Sequence, residues 1–167
     1  IELTDDLLNE IKLATGLATL ESNTHLTLTT NALVDMNSIQ VTAVTTGKQV
    51  KAGGLTADLT GPAPTDFSLN MQTGKLTITF NEAVKRSTID TTKILIHSQD
   101  GSKSVTLTSA GDAPSTSSSA NGLEIVVDIG DTDLNKIKAD DGIATDDSSD
   151  AYVTFQASGI QDMNSRV

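Results

Sequence analysis

The chain predicts an all-β fold, short strands arranged as a two-sheet sandwich with one short helix per repeated unit. Three observations carry that expectation. Thr (25) and Ser (16) fill about a quarter of the 167 positions, and β-branched Thr suits the solvated face of a half-buried sheet. Short runs of alternating apolar and polar residues are separated by clusters of Gly, Pro, Asn and Asp. The sequence also matches itself about 126 positions apart, the period of a whole domain rather than of a solenoid turn.

The elements follow in chain order within one unit. "FSLNMQTGKLTITF" (67–80) reads as two strands around a Gln-Thr-Gly turn, with Leu76, Ile78 and Phe80 alternating inward. "KILIHS" (93–98) and "SVTLTS" (104–109) flank the polar turn "QDGSK". "GDAPSTSSSANG" (111–122) is a loop whose small polar residues are not expected to pack a core. "LEIVVDI" (123–129) is a further strand, with Ile125, Val126 and Val127 suited to burial. Asp131 or Thr132 is placed to cap a short helix in which Leu134 and Ile137 share a face. "AYVTFQA" (151–157) is the next strand, and an Asp-Met-Asn-Ser turn follows it. In the first copy that turn leads to another strand, "IQVTAV" (39–44). Six or seven short strands with one helix suggest an immunoglobulin-like β-sandwich.

The repeat is specific. Ile1 to Thr19 lies over Val127 to Thr145 at an offset of 126, and after one inserted residue His25 to Leu28 lies over Tyr152 to Phe155 at 127. Across residues 1–40, 14 positions are identical: Asp5, Leu8, Asn9, Ile11, Lys12, Gly16, Ala18, Thr19, Ser22, Thr27 and Asp35 to Ser38. Asp5 is expected to cap the first copy of the helix, with Leu8 and Ile11 on its face. The chain therefore reads as one and a third units. Residues 1–53 form the closing part of a preceding unit, 54–64 a linker, and 65–167 a second unit, with the seam at "GGLTADLTGPAP" (53–64). Segment 1–41 is too small to bury a core alone, so it is expected to need strands from elsewhere.

A resemblance supports that organisation. "LTITFNEAVKRSTIDTTKILIHS" (76–98) resembles the bacterial-type immunoglobulin-like repeats of surface-layer and adhesin proteins through Phe80, Glu82, Ala83, Val84, Ser87, Thr88, Ile89 and Ile94. The Pro usual in that step is absent from Glu82-Ala83-Val84. "DLNKIKADDGIAT…DMNS" is similar to tandem repeats of very large surface proteins of aquatic microbes and algae. Together these cover most of Phe67 to Ser165. The resemblance implies spacer and scaffold modules, not enzymes.

Composition narrows the function classes. Eleven Lys and Arg against 22 Asp and Glu give a formal charge of −11, which repels phosphate backbones and argues against nucleic acid. Aromatics make up 2%, with no Trp, so stacking platforms for bases or sugars are scarce. There is no Cys, hence no disulfide and no thiolate-bound zinc. No run approaches the ~18 apolar residues of a membrane span, and "IELTDDLLNEIK" has no basic leader or apolar core of a secretory signal. No Asn-x-Ser/Thr sequon occurs, since Asn23-Thr24-His25 and Asn164-Ser165-Arg166 both end wrongly; O-linked glycans on Thr and Ser remain open.

Candidate sites are few. Asp140, Asp141, Asp146, Asp147 and Asp150 crowd "ADDGIATDDSSD" with hard oxygens suited to Ca²⁺. Their first-copy counterparts are Ala14, Thr15 and Leu20 to Thr24, where only Glu21 is acidic, and the spacing is not that of an EF-hand. A solvated loop is the expectation, with no metal or cofactor. Asp35/Asp162 and Asn37/Asn164 recur, which favours a structural job, tying side chains to turn amides. His25 aligns with Tyr152, and His97 has no nucleophile at recognisable spacing. "QTGK" and "TTGK" lack the frame of a phosphate loop. No enzyme is expected. The leading expectation is a structural module of an extracellular fibril or giant cell-surface protein, contacting copies of itself or neighbouring repeats head-to-tail, with strand complementation. The alternative is a Ca²⁺-dependent adhesive module of a secreted or surface adhesin.

Overall fold

A computed structural model describes residues 2–46, 49–111, 113–145 and 150–167. Among these, strands in several antiparallel sheets predominate, with two short α-helices, α1 (Asp5–Leu13) and α2 (Asp131–Ala139). β1 (His25–Leu26) pairs with β2 (Val50–Lys51). β3 (Pro64–Asn70), β4 (Lys75–Lys85) and β7 (Gly122–Asp128) form a sheet that β9 (Gln161–Asp162) joins along β4. β5 (Ile94–His97) lies between β6 (Ser104–Thr106) and β8 (Tyr152–Phe155).

The alternation read from the sequence sets the core. Leu76, Ile78 and Phe80 of β4 are buried, as are Ile94 and Ile96 of β5 and Ile125 and Val127 of β7. Period-two geometry turns these onto one face of each strand. Phe80 meets Phe155 edge-on at 5.8 Å, so residues of the two larger sheets share one cluster. Val126, expected inside, falls between Ile125 and Val127 and therefore faces the other way, half-buried.

Three expectations are corrected: the cap of each helix and the strand at 39–44. The helix caps sit one residue earlier: Thr4 caps α1, its Oγ1 accepting from Leu7 N at 3.4 Å, and Gly130 occupies the cap of α2 with no side-chain bond. Gly130 is demanded by space, because a Cβ there would lie 1.9 Å from the carbonyl oxygen of Ala113. The described part of 111–122 is a loop, as expected, before β7 begins at Gly122. Within it Thr116 exchanges backbone hydrogen bonds with Asp128 and Ser117 Oγ donates to Val126 O, so these two residues lie beside β7, and Ser115 is buried. Residues 39–44 form no strand; they make only the single bridges Val34–Gln40 and Leu28–Val44. With no sheet alongside, the alternation of Ile39 and Val41 has nothing to pack against.

The two copies share local geometry. α1 and α2 both have nine residues and start 126 positions apart. Ala18 and Ala144 both adopt the left-handed region (φ +53° and +54°), as do Ser38 and Ser165 (+64° and +66°). Such values are uncommon for residues with a Cβ, so their recurrence reflects a repeated backbone path. The surroundings differ. Every buried hydrophobic residue among those described lies between Leu76 and Ile160. Every exposed large hydrophobic except Val167 lies between Leu3 and Leu59.

Candidate functional site

The Asp-rich loop does not gather into a ligand set among the described residues. Asp140 Oδ1 accepts from Gly142 N at 3.0 Å and from Lys103 Nζ at 3.1 Å. Asp141, almost fully exposed, reaches the same ammonium at 3.4 Å. Lys103 is thus the cation beside these two, and the Asp140 hydrogen bond above all holds its pKa above the ordinary value. Asp150 instead turns to Thr145, accepting from its backbone N at 2.7 Å and from its hydroxyl at 2.5 Å. Asp146 and Asp147 lie outside the described residues. His97 bonds Thr154 Oγ1 through Nε2 at 2.9 Å and stacks on Tyr152, a strand-surface role. "QTGK" lies at the β3–β4 turn, where Gly74 has φ +66°. "TTGK" includes Gly47 and Lys48, outside the described residues.

The Asp-Met-Asn-Ser turns match the structural reading of their Asp. Asp35 Oδ1 accepts from Asn37 N (2.8 Å) and Ile39 N (2.9 Å). Asp162 Oδ1 accepts from Asn164 N (2.8 Å) and Arg166 N (2.6 Å). The same side chain closes the same turn twice. What differs is burial, since Asp35 is exposed and Asp162 is 1% exposed.

That buried Asp162 belongs to a group that sequence reasoning did not assemble. One carboxylate oxygen each from Asp58, Glu82 and Asp162 lie within 4.8 Å of one another. The positions come from three sources. Asp58 sits in the 54–64 segment and anchors itself on Thr60, accepting from its N at 3.0 Å and its hydroxyl at 2.6 Å. Glu82 projects from a bulge in β4, where pairing with β7 shifts register between Thr79 and Val84. Asp162 is brought in by β9, whose residues Gln161 and Asp162 pair with Lys85 and Val84. Gly61 lets the 54–64 segment close against residue 167, because a Cβ there would lie 2.2 Å from Val167 O.

The first-copy helix packs beside this cluster. α1 lies against β4 and β7. Asn9 Oδ1 accepts from Ala83 N at 3.0 Å, satisfying an amide of the bulge, and Asn9 is buried there. Lys12 Nζ donates to Glu82 Oε2 at 2.6 Å and Asp58 Oδ2 at 2.7 Å. Burial pulls the Lys12 pKa down, but the hydrogen bonds to Asp58 and Glu82 outweigh it and leave the ammonium above its usual 10.5. Asp58 is held far below the carboxylate range, by Lys12 first and then by Thr60.

A second buried carboxylate, Asp133 of α2, also escaped the sequence reading. Its Oδ2 accepts from Thr108 N (2.7 Å), Thr108 Oγ1 (2.9 Å) and Ser115 Oγ (2.8 Å), and its Oδ1 faces Lys136 at 3.3 Å. Burial alone raises its pKa, yet these donors together bring it below the ordinary value. The residue pins α2 to Thr108 and to Ser115. Asn9 and Lys12 had one signal in the sequence, their identity with Asn135 and Lys138. Asp133 had none, since its counterpart is Leu7. Among the described residues no helix is long and apolar enough to cross a membrane. No protein-family model, no curated protein and no solved structure matches the chain.

Proposed function

We propose that the chain is a structural module of an extracellular fibril or giant cell-surface protein, built from immunoglobulin-like β-sandwich units joined head-to-tail. The observation that supports this reading is a grip made once by residues that occur twice. In the first copy Asn9 and Lys12 hold Ala83 and Glu82 of the following unit. The second copy keeps both residues, as Asn135 and Lys138, and leaves both exposed on α2. A surface Asn and Lys are ordinary alone. Their identity with a pair that already makes a junction gives the exposed face a partner of known shape and charge: the bulged strand and carboxylates of a next unit. Such a contact is heterologous and does not close on itself, so it propagates into a string. The chain's acidity supports the same reading, because like-charged units repel sideways and meet only where a Lys is supplied.

The test extends the register. Adding a second stretch of residues 41–167 after Val167 continues the repeat without interruption. Small-angle scattering should then give a particle lengthened by one unit with a narrow end-to-end distribution. Asn135→Ala with Lys138→Glu should loosen that junction and broaden the distribution. An extended chain whose units move independently, with α2 amides exchanging no more slowly than before, overturns the proposal.

A further inference from the structure

The geometry points to a divalent, oxygen-seeking cation, with calcium the best fit, held by Asp58, Glu82 and Asp162 where the first-copy helix meets the second unit. The spacing fits. Calcium–oxygen distances are about 2.3–2.6 Å, so ligands on opposite sides of one ion stand roughly 4.6–5.2 Å apart, and these three oxygens lie within 4.8 Å of one another. An acidic cluster alone would mean little. The second observation is Asp162 itself. It is 1% exposed, and its Oδ2 has no hydrogen-bond partner among the described residues. A buried carboxylate oxygen without a donor is disfavoured by a large desolvation penalty, and its Oδ1 is already committed to two turn amides. A metal ion supplies what the protein does not.

Charge agrees. Three carboxylates and the Lys12 ammonium sum formally to −3 + 1 = −2, which a divalent cation neutralises. Hard carboxylate oxygens with no His or Cys nearby select calcium or magnesium over transition metals. The slack spacing favours calcium over the tighter magnesium octahedron. The four charged groups come from three parts of the chain: Lys12 from α1, Asp58 from the 54–64 segment, and Glu82 and Asp162 from the second unit. An ion here would tie all of them. The cation site stands on this geometry alone; its use as a stiffener between repeats rests on the assembly proposed above.

The experiment is a calorimetric titration of the whole chain, stripped of metals, with CaCl₂ and separately MgCl₂, carried well past the range of about 0.1–1 mM in which extracellular calcium modules bind. One calcium per chain is expected, with a rise in Tm in the presence of calcium. Asp162→Asn and Glu82→Gln should each weaken binding about tenfold or more, as the loss of a charged ligand. Both keep the side-chain volume, and circular dichroism checks that they fold. Asp58→Asn, in a more exposed segment, carries the test if either does not. Lys12→Met should tighten binding several-fold by removing a competing positive charge, an effect that a purely structural ion pair does not produce. Asp141→Asn should leave binding unchanged. Absence of calcium binding, or binding that survives Asp162→Asn and Glu82→Gln, overturns the site. Either result is independent of whether the extended chain forms a string.

Discussion

The same forty-residue pattern occurs twice in this chain, in two different environments. Leu17 is 45% exposed and its counterpart Ile143 is 1%; Leu33 is 52% exposed and Ile160 is 3%; Leu3 is 43% exposed and Ile129 is 6%. The helix, the left-handed Ala and Ser, and the Asp-closed turn survive in both. Local structure in this segment is therefore written locally, whereas burial is conferred by strands the first copy does not have beside it. In the second copy β8 pairs with β5, and β9 with β4. In the first, β1 finds only β2, and Val34 bridges back to Gln40.

The differences in sequence follow the difference in environment. Thr4, a helix cap open to solvent, becomes Gly130, over which Ala113 passes with no room for a Cβ. Ala32 becomes Gly159, where a Cβ would stand 2.5 Å from Phe155 Cε1. Leu7 becomes Asp133, with three donors waiting for it. Each substitution is what close packing around the second copy requires and the first does not.

Matched substitutions probe this comparison directly, and the largest effect is expected in the core. Ile137→Ala should cost roughly 2–5 kcal/mol, as for a fully buried aliphatic side chain. Ile11→Ala, at the half-buried counterpart, should cost about 1 kcal/mol, both measured by urea unfolding. Equal losses would erase the distinction. Exchanging the helix caps comes next. Gly130→Thr should destabilise by about 3 kcal/mol through the clash with Ala113, whereas Thr4→Gly should cost only a few tenths of a kcal/mol.

The buried carboxylate gives a pH signature. Asp133→Asn should lose about 2 kcal/mol by weakening charge-assisted bonds. Because the folded pKa of Asp133 is lowered, its contribution is fully present above the unfolded value near 4 and vanishes as pH falls through the folded value. The wild type should thus lose its advantage over Asp133→Asn below about pH 4, as read by thermal unfolding across pH. The smallest effect concerns the junction. Lys12→Glu should cost about 1 kcal/mol by setting like charges against Asp58 and Glu82, while Lys138→Glu should be nearly neutral in the chain alone. Lys12 has a raised pKa, so its contribution holds below the usual 10.5 and is lost as pH rises through the folded value.

Much of the strand pattern was legible because each signal is short-range. The alternation at Leu76, Ile78 and Phe80, the Gln-Thr-Gly turn and the repeated Asp-Met-Asn-Ser all fix geometry within a few residues. The strand expected at 39–44 fails for the complementary reason: alternation licenses a strand only where a sheet is present to receive it. The carboxylate cluster was invisible in sequence, since Asp58, Glu82 and Asp162 share no motif and meet only through a β-bulge and the pairing of β9. The recurrence of Asp35 as Asp162 pointed to the turn and concealed the second oxygen.

Hydrogen exchange of the native chain at the two helices tests the account at its centre. Amides of 131–139 should exchange only through global unfolding, whereas those of 5–13, held by Asn9 and Lys12 at one edge, should exchange through local opening at a markedly lower free energy. Equal protection of both helices would contradict the claim that one copy is seated in a core and the other still offers its apolar face.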